Sequence, residues 1–254
     1  MTEEEQKQLD VLKRQENQYA FPYHYVPTRE GDTYRQTCIF DWGPEYFEYI
    51  DYVTELLKQI NYKSLLDIGC GDGRFLREVV NAIPDRIYKG IDISEASIRF
   101  AKAFNPNTDF VSGDITEANV LDRKYDVIIL IETIEHIPQN LLPKFLKAVS
   151  QHLAPNGKIV ITVPSKAWPT HPKHFQHFDR ESLTSTLEPL FNIESWHFLN
   201  RKSYLYSQMR RFCANKYFAI THGKILDKFY AYYRSKLSKA TEQNAERLCV
   251  ICTV

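Results

Sequence analysis

The sequence predicts an α/β fold whose β-sheet is mostly parallel and has helices on both faces. Two observations predict it. From residue 44 onward, segments that read as strands alternate with segments that read as helices, which is typical of βαβ units. Residues 125–131 are almost entirely apolar, as expected of a strand in a sheet that is covered on both faces. With 254 residues, the chain has room for one such domain and an extension.

The first half of the domain is predicted to contain four strands and three helices. Ser94 is placed as an N-cap, because its hydroxyl can accept a hydrogen bond from an amide of the first helical turn. In chain order, we expect a helix at 44–60, a strand at 64–68, a helix at 74–82, a strand at 87–91, a helix from Ser94 to about Phe104, a short strand at 110–111 and a strand at 125–131.

The second half is predicted to complete the sheet. The sequence Pro155-Asn156-Gly157 is typical of a turn. Residues 200–246 separate the last two strands, and this segment is helical in pattern, aromatic and too long for a turn, so it is interpreted as an insertion. In chain order, we expect a helix at 140–153, a turn at 155–157, and a strand at 158–163. A helix at 180–188 and strands at 192–199 and 247–254 follow.

Composition and cysteine content predict a cytoplasmic protein. Hydrophobic residues make up 43% of the chain and charged residues 25%, which is ordinary for a globular protein. The longest apolar run, at 127–131, is too short to span a membrane, and the acidic amino terminus is not a secretory signal. The five cysteines lack framework spacing, which indicates a reducing compartment. Cys249 and Cys252 should point to opposite faces of a strand and hold no metal together.

The segment at 65–75 reads as a buried strand, a glycine turn and the start of a helix. Its pattern, D-x-G-x-G-x-G, consists of Asp67, Gly69, Gly71 and Gly73. Arg74 stands where a dinucleotide-binding G-x-G-x-x-G would require glycine. The pattern resembles motif I of the class I S-adenosylmethionine (SAM) methyltransferases. SAM carries a sulfonium cation and an amino-acid group, which a carboxylate beside the turn suits.

The resemblance implies a Rossmann-like, seven-stranded, mostly parallel sheet with an antiparallel last strand, and SAM as the cofactor. A carboxylate at the end of the strand at 87–91, Asp92, can accept hydrogen bonds from both ribose hydroxyls. The resemblance places Asp114 at the adenine amino group, Ile115 against the ring, and Glu132 next to the methionine portion. The other implied cofactor-binding residues are Asp67, Gly69, Cys70, Gly71, Gly73 and Ile93.

Polar groups converge after the strand at 125–131. Glu132, Glu135 and His136 have the spacing i, i+3 and i+4, which brings them to one face of a helical turn. Further on, His174 and His177 belong to a loop that should return over the same edge of the sheet. One of the three histidines acts as a general base toward a hydroxyl, or Glu132, Glu135, His136 and a later histidine such as His174 bind a divalent metal. In a third interpretation, Glu132 contacts the cofactor and His136 only closes the pocket.

The E-x-x-E-H pattern at 132–136 resembles the metal-binding segment of small-RNA 3′-terminal 2′-O-methyltransferases and of ubiquinone-pathway O-methyltransferases. The RNA enzymes carry an asparagine-containing segment after the fifth strand, where this chain has Val163-Pro164-Ser165. This departure weakens the RNA assignment. Because a sulfonium methyl group is already activated, only a weak acid such as an alcohol needs help with deprotonation. The histidines therefore favour an oxygen acceptor.

Two segments outside the central domain are candidates for contacts with the acceptor. Residues 1–43 are predicted to form a lid in which Tyr23, His24 and Tyr25 face the substrate, or an aromatic strap on the sheet edge. Residues 44–199 and the closing strand at 247–254 form the SAM-binding domain, and residues 200–246 form the insertion between them.

The insertion is strongly basic. Residues 201–247 contain eleven Lys and Arg against three Asp and Glu, and nine aromatic residues lie among those of 200–239. Amphipathic helices of this kind most often serve packing. As a functional surface, the insertion suits a phosphorylated or glycan-phosphate substrate, a membrane face, contact with another subunit, or RNA. No RNA-binding signature accompanies it, so nucleic acid is the least favoured partner.

The function hypothesis is therefore a SAM-dependent methyltransferase acting on a polar small molecule, sugar nucleotide or glycan, with oxygen as the methyl acceptor. The alternative from another class is a metal-dependent RNA 3′-terminal 2′-O-methyltransferase. A non-catalytic SAM-binding module is the third hypothesis, but such a module would lack polar groups above the methyl position, and this chain has several.

Overall fold

The computed structural model describes residues 6, 8–11, 13, 28–30, 33–35, 43–117, 120–215, 218–220 and 222–254. The predicted lid residues Tyr23, His24 and Tyr25 lie outside these described residues. The strands are β1 (Thr28–Glu30), β2 (Thr33–Arg35), β3 (Ser64–Ile68), β4 (Ile87–Asp92), β5 (Asp109–Ser112), β6 (Tyr125–Ile131), β7 (Leu153–Pro164), β8 (Asn192–Arg201) and β9 (Ala245–Thr253). The helices are α1 (Gly43–Lys58), α2 (Arg74–Ala82), α3 (Glu95–Phe104), α4 (Leu142–Gln151), α5 (Arg180–Leu187), α6 (Tyr204–Cys213) and α7 (Gly223–Lys236).

Seven strands form one sheet in the order β5-β4-β3-β6-β7-β9-β8, and β1 and β2 form a separate antiparallel pair. All pairs from β5 to β7 are parallel, whereas β9 runs antiparallel to both β7 and β8. The Rossmann-like seven-stranded sheet with an antiparallel last strand is therefore confirmed. After β3 the chain proceeds toward one edge, and with β6 it returns to the other side of β3. The carboxyl ends of β3 and β6 thus flank the topological switch point, where ligands of open α/β sheets bind.

Two apolar cores cover the two faces of the sheet. One contains Leu66 and Ile128 with residues of α4 and α5, and the other contains Leu65 and Val127 with residues of α1, α2 and α3. The alternation follows from the strand geometry, which sends successive side chains to opposite faces. It also separates the two cysteines of β9, because Cys252 lies in the first core and Cys249 in the second.

Most predicted elements lie within a few residues of the observed ones. Ser94 caps α3 as expected, since its hydroxyl accepts a hydrogen bond from the Ser97 amide at 3.2 Å. The turn expected at 155–157 is instead part of β7, where the pairing with β6 shifts register and Asn156 has φ of 62°. This irregularity accommodates the turn-type sequence within the strand.

The insertion forms a third apolar cluster of its own. Tyr206 and Cys213 of α6 pack with Leu226, Phe229 and Tyr233 of α7. Phe47 of α1 belongs to the same cluster, so the insertion is attached to the helix that opens the central domain. None of the described helices is both long enough and apolar enough to cross a bilayer.

Candidate functional site

The carboxyl ends of β3 and β6 touch at the switch point. Gly69 follows β3 with φ of +76°, and a Cβ atom added to it would lie 2.7 Å from the side chain of Thr133, which follows β6. The Thr133 hydroxyl donates to the backbone carbonyl of Ile68 at 3.1 Å. Only glycine satisfies both the positive φ and this close approach. The glycine turn and the 132–136 segment are thereby held in direct contact.

Backbone hydrogen bonds give the glycine turn a defined shape. The amides of Gly69 and Cys70 both donate to the carbonyl of Ile91, at 2.8 and 3.1 Å. The amide of Gly71 donates to the carboxylate of Asp92 at 2.9 Å, and the Ser94 amide donates to its other oxygen at 2.8 Å. Asp92 therefore sits at the end of β4 beside the turn, where the sequence places it. Each of its two oxygens still has acceptor capacity for a ligand hydroxyl.

Asp67 is buried in β3 immediately before the turn, with 2% of its surface exposed. Burial, together with the negative charge of Asp92, raises the pKa of Asp67 to about 8. Its Oδ2 atom makes no hydrogen bond to any described residue. An isolated buried carboxyl group of this kind carries a large desolvation cost, which a cationic ligand group would offset.

The other predicted cofactor-binding residues differ in their exposure and in whether their side chain or their backbone lies at the site. Gly73 adopts φ of +75° at the start of α2, and the carboxylate of Asp114 accepts a hydrogen bond from the Thr116 amide at 2.8 Å. Ile93 is 65% exposed directly after β4, whereas Ile115 is buried in the core beneath the site. Cys70 points inward as well, and its sulfur packs against Gly90. Cys70 thus contributes its backbone to the turn and its side chain to the core.

Beyond the glycine turn, Glu135, His136 and His174 form a compact group. One side-chain ligand atom from each residue lies within 4.8 Å of the other two. Glu135 is 0% exposed, and neither of its carboxylate oxygens has a hydrogen-bond partner among the described residues. Burial, and secondarily the charge of Glu132, raises the pKa of Glu135 well above its usual value.

The imidazoles of this group are neutral, and their tautomers follow from their partners. Burial lowers the pKa of His136 and lowers that of His174 to about 3. The Nδ1 atom of His136 lies 2.9 Å from the carbonyl of Lys173 and so carries the proton, since a carbonyl only accepts. His177 donates from Nδ1 to the Trp168 carbonyl at 3.2 Å. His177 Nε2 therefore accepts from His174 Nδ1 at 2.8 Å.

These assignments leave the Nε2 atoms of His136 and His174 without protons, as lone-pair donors. The Nε2 atom of His136 lies 3.9 Å from Oε1 of Glu135. The group thus combines one buried carboxyl group, whose raised pKa favours its protonated form, with two imidazole lone pairs. This set can accept a proton from an acceptor hydroxyl, and it is also a donor set that a divalent transition metal prefers.

The loop that carries His174 is fastened to the segment after β6 at three points. His136 binds the Lys173 carbonyl, the Phe175 amide donates to the Glu135 carbonyl at 2.9 Å, and Gln176 donates to the Ile137 carbonyl at 3.3 Å. These three hydrogen bonds bring the histidine loop back over the carboxyl edge of the sheet, as the sequence predicts. His177 lies one hydrogen bond further out and supports His174 rather than joining Glu135 directly.

Glu132 is not part of this compact group in the described structure. Its Oε2 atom lies 3.1 Å from Nε of Arg247, and its Oε1 accepts a hydrogen bond from the Thr162 hydroxyl at 3.2 Å. Glu132 also has φ of 50°, an uncommon conformation for a residue with a side chain. Side chains spaced i, i+3 and i+4 meet only on a regular helical turn, whereas the observed 3₁₀ turn covers only Ile134–His136. The Glu132 side chain therefore points toward Arg247 and Thr162 and not into the compact group.

Arg247 is the functional candidate that the sequence argument missed. It lies near the start of β9, opposite Pro164 at the end of β7, and its guanidinium stacks 4.7 Å from the ring centroid of Tyr49. Burial lowers the pKa of Arg247, but the surrounding negative groups, of which Glu132 is the largest, together outweigh burial and hold the pKa above its usual value. In the sequence, Arg247 was only the last of eleven basic residues near the insertion. The sequence feature that could have identified Arg247 is its position directly before the apolar run of the last strand.

Comparisons with known proteins identify the family of this chain. A family model described as "Methyltransferase domain" matches residues 44–215, about two thirds of the chain. The ubiquinone biosynthesis O-methyltransferase of Rickettsia canadensis is 29% identical over 53% of this chain and 56% of that protein. The small RNA 2′-O-methyltransferase of Schizosaccharomyces pombe is 35% identical over 39% of this chain and 31% of that protein. The chain spans about a quarter to just over half of the length of the curated relatives it matches.

A solved structure extends the likeness to the whole fold. The SAM-dependent methyltransferase from Archaeoglobus fulgidus superposes with a TM-score of 0.54 at 19% identity, covering 84% of this chain and 99% of that one. The strand order, the glycine turn at the switch point and the matched family model lead to one conclusion. This chain belongs to the methyltransferase domain family, and its sheet is that of a SAM-dependent methyltransferase.

Proposed function

We propose that this protein transfers a methyl group from SAM to a hydroxyl oxygen of a polar small molecule, sugar nucleotide or glycan. The observation that carries the proposal is the group formed by Glu135, His136 and His174 beside the glycine turn. A hydroxyl is a poor nucleophile until it loses its proton, and this group offers the lone pairs that the proton requires. A neutral amine already carries a free lone pair and needs such a group less.

For SAM, the proposal rests on two carboxyl groups at the strand ends. Asp92 is held by the Gly71 and Ser94 amides, with acceptor capacity left for the ribose hydroxyls. Asp67 has a buried oxygen without a hydrogen-bond partner among the described residues, which fits a ligand that brings positive charge to the turn. When bound, SAM supplies a methyl group on a sulfonium leaving group, so no further activation of the donor is needed.

The reaction then requires three contributions from the residues of the site. The residues of the site must place the acceptor oxygen in line with the methyl carbon, exclude water, and receive the acceptor proton. As the oxygen–carbon bond forms and the carbon–sulfur bond breaks, the hydroxyl proton would pass to the Nε2 atom of His136, because a pKa of about 3 makes His174 too weak a base. S-adenosylhomocysteine and the methylated acceptor leave, and the proton returns to solvent.

The same residues fit a divalent metal. Both oxygens of Glu135 are buried and without hydrogen-bond partners among the described residues, and one ring nitrogen each of His136 and His174 lies within 4.8 Å of a Glu135 oxygen. Glu135, His136 and His174 would hold the ion, which would lower the pKa of a coordinated acceptor hydroxyl. Glu132, expected as a fourth ligand, is engaged with Arg247 instead.

A second candidate function is methylation of the 2′-hydroxyl at the 3′ end of an RNA. Two observations support it: the group of possible metal ligands, and the similarity to the small RNA 2′-O-methyltransferase of Schizosaccharomyces pombe. Val163-Pro164-Ser165 at the end of β7 speaks against it, because the resembling RNA enzymes carry asparagine there. The small-molecule acceptor remains the first choice.

The two candidates are separated by a direct assay of the purified protein. Production of S-adenosylhomocysteine is measured with a panel of sugar nucleotides, phosphorylated sugars and phenols, and in parallel with a short RNA bearing a free 3′-terminal 2′-hydroxyl. Turnover with a small hydroxyl compound, lost in His136→Ala, supports the proposal. Turnover with the RNA alone would replace it with the second candidate.

A further inference from the structure

The outward side of α6 exposes large apolar side chains to solvent. Tyr204, Leu205 and Phe212 are 81%, 60% and 72% exposed. Leu205 and Phe212 are seven residues apart, two helical turns, so they lie on the same side of the helix, with Tyr204 adjoining. A neighbouring side of α6, about 100° further round the helix, is already used, because Tyr206 and Cys213 pack against α7. Leu205 and Tyr204 lie on a side that the cluster between α6 and α7 leaves exposed.

The apolar side chains form a cluster rather than a scatter. Eleven large apolar residues are exposed in the described part of the chain, and five of them lie between positions 204 and 225. Phe218 follows α6, and its ring contacts that of Phe212 edge-on, with 6.5 Å between centroids. We call Tyr204, Leu205, Arg211, Phe212 and Phe218 together the α6 surface. It groups several exposed apolar side chains, whereas an ordinary protein surface exposes such side chains singly.

The charged residues of the stretch that contains the α6 surface, 201–239, are almost all positive. The exposed cations among its described residues are Arg201, Lys202, Arg211, Lys224, Lys228, Arg234, Lys236 and Lys239. Residues 201–239 contain a single acidic residue, Asp227. Two copies of this chain meeting through the α6 surface would bring like charges together, which disfavours self-association. Exposed aromatic and aliphatic residues beside Lys and Arg are instead the composition of helices that lie in the interface of an anionic bilayer.

We propose that the α6 surface docks this protein on a lipid bilayer that contains anionic headgroups. Leu205, Phe212 and Phe218 enter the boundary between headgroups and acyl chains, while Arg211 and its basic neighbours bind lipid phosphates. The apolar and electrostatic contributions add, so neither neutral lipid nor the charges alone gives full binding.

The segment just before α6 contacts the loop that carries the histidines. Lys202, two residues before α6, places its ammonium 4.0 Å from the ring centroid of Trp168, whose carbonyl binds His177. At the other side of α6, Arg210 binds the Glu45 carboxylate of α1 at 3.1 Å. Docking would therefore hold the histidine loop close to the bilayer surface. The inference does not depend on which acceptor is methylated.

The test is co-sedimentation of the 254-residue chain with vesicles of phosphatidylcholine, with and without phosphatidylglycerol. We expect binding to the vesicles that contain phosphatidylglycerol, weaker binding as salt is raised, and little binding to phosphatidylcholine alone. The double variant Leu205→Ser/Phe212→Ser should bind at least roughly tenfold more weakly, because two large apolar side chains no longer enter the interface. The matched control is Ile87→Ser/Leu141→Ser, which removes two exposed apolar side chains elsewhere and should bind like the wild type.

Three results would overturn the inference. The first is wild-type protein that stays in the supernatant with both kinds of vesicle. The second is a double variant that binds as tightly as the wild type although its circular dichroism and melting temperature are unchanged. The third is a concentration-dependent dimer or an RNA complex that the double variant abolishes while no vesicle binding is seen, which would assign the α6 surface to a second copy or to nucleic acid.

Discussion

The guanidinium of Arg247 lies 3.1 Å from the carboxylate of Glu132, and this ion pair joins the start of β9 to the turn after β6. Both side chains are mostly shielded from solvent, and Tyr49 stacks on the cation. The pair fixes the position of a residue with a positive φ at the switch point. It also keeps the Glu132 carboxylate away from the group formed by Glu135, His136 and His174.

We therefore expect Arg247→Met to destabilise the protein strongly. Removal of the cation leaves the Glu132 carboxylate shielded from solvent without its counter-charge, which typically costs about 3–5 kcal/mol in the free energy of unfolding. Urea denaturation of Arg247→Met, Glu132→Gln and the double variant measures the coupling. The double variant should recover a large part of the loss. Effects of the two single changes that simply add would show that the pair is not an interacting unit.

Asp67 predicts a pH dependence of stability. Its pKa in the folded protein is about 8, against a usual value of 3.8. Between these pH values, the folded protein holds a proton that the unfolded chain releases, so this residue makes stability fall as pH rises from about 4 to about 8. Asp67→Asn removes the titrating group. The variant without ligand should melt higher than the wild type, by an amount that grows with pH up to about 8.

Thermal unfolding across this pH range makes the measurement, with Asp126→Asn as a control whose pKa shift is in the opposite direction. SAM should raise the melting temperature of the wild type and raise that of Asp67→Asn much less, because the amide cannot balance the positive charge of the ligand. A difference between variant and wild type that does not change with pH would contradict the assignment of a raised pKa.

The histidine pair predicts a separation of methyl transfer from SAM binding. His136→Ala should lower kcat by about 100-fold or more, the usual effect of losing a group that receives the substrate proton, and His174→Ala should lower it by a smaller factor. SAM affinity should stay near that of the wild type, since neither ring is part of the glycine turn. His197→Ala is a matched control, because His197 is bonded to Tyr52 and Ser195 away from the site. Unchanged kcat in both site variants would remove the histidines from the reaction.

Glu135 predicts metal binding that can be measured without turnover. Calorimetry with Mn²⁺ should detect one site in the wild type and none in Glu135→Gln, because the amide replaces the only carboxylate of the compact group. Glu132→Gln should retain the site, since Glu132 is paired with Arg247. If the ion binds equally well to Glu135→Gln, or not at all to the wild type, the three residues serve only as proton acceptors.

The sequence predicted the sheet well because its elements are set by local patterns. The apolar run at β6, the Ser94 cap and the glycines at 69 and 73 each specify a local conformation that tertiary packing did not override. The β7 irregularity was missed because Pro155-Asn156-Gly157 has turn propensity, while pairing with β6 continues past it. Propensity is a weak guide where strand pairing competes with it.

The site was predicted only in part, for a physical reason. Asp67, Asp92 and Glu132 each end a parallel strand, so their shared edge follows from topology alone. Topology does not predict that Arg247 is the partner of Glu132, because Arg247 is 115 residues away in the chain and lies on the antiparallel strand. Likewise, only the hydrogen bonds of the loop decide that His174 faces Glu135 while His177 stands behind it.

Calorimetric titration of SAM into the wild type and into Asp92→Ala tests the central claim most directly. Loss of a carboxylate that accepts from both ribose hydroxyls should weaken binding by roughly 100-fold or more. Asp92→Asn, which keeps the shape and can still engage the turn, should lie between the two. Wild-type protein that binds neither SAM nor S-adenosylhomocysteine, or Asp92→Ala that binds SAM as tightly as the wild type, would contradict the account.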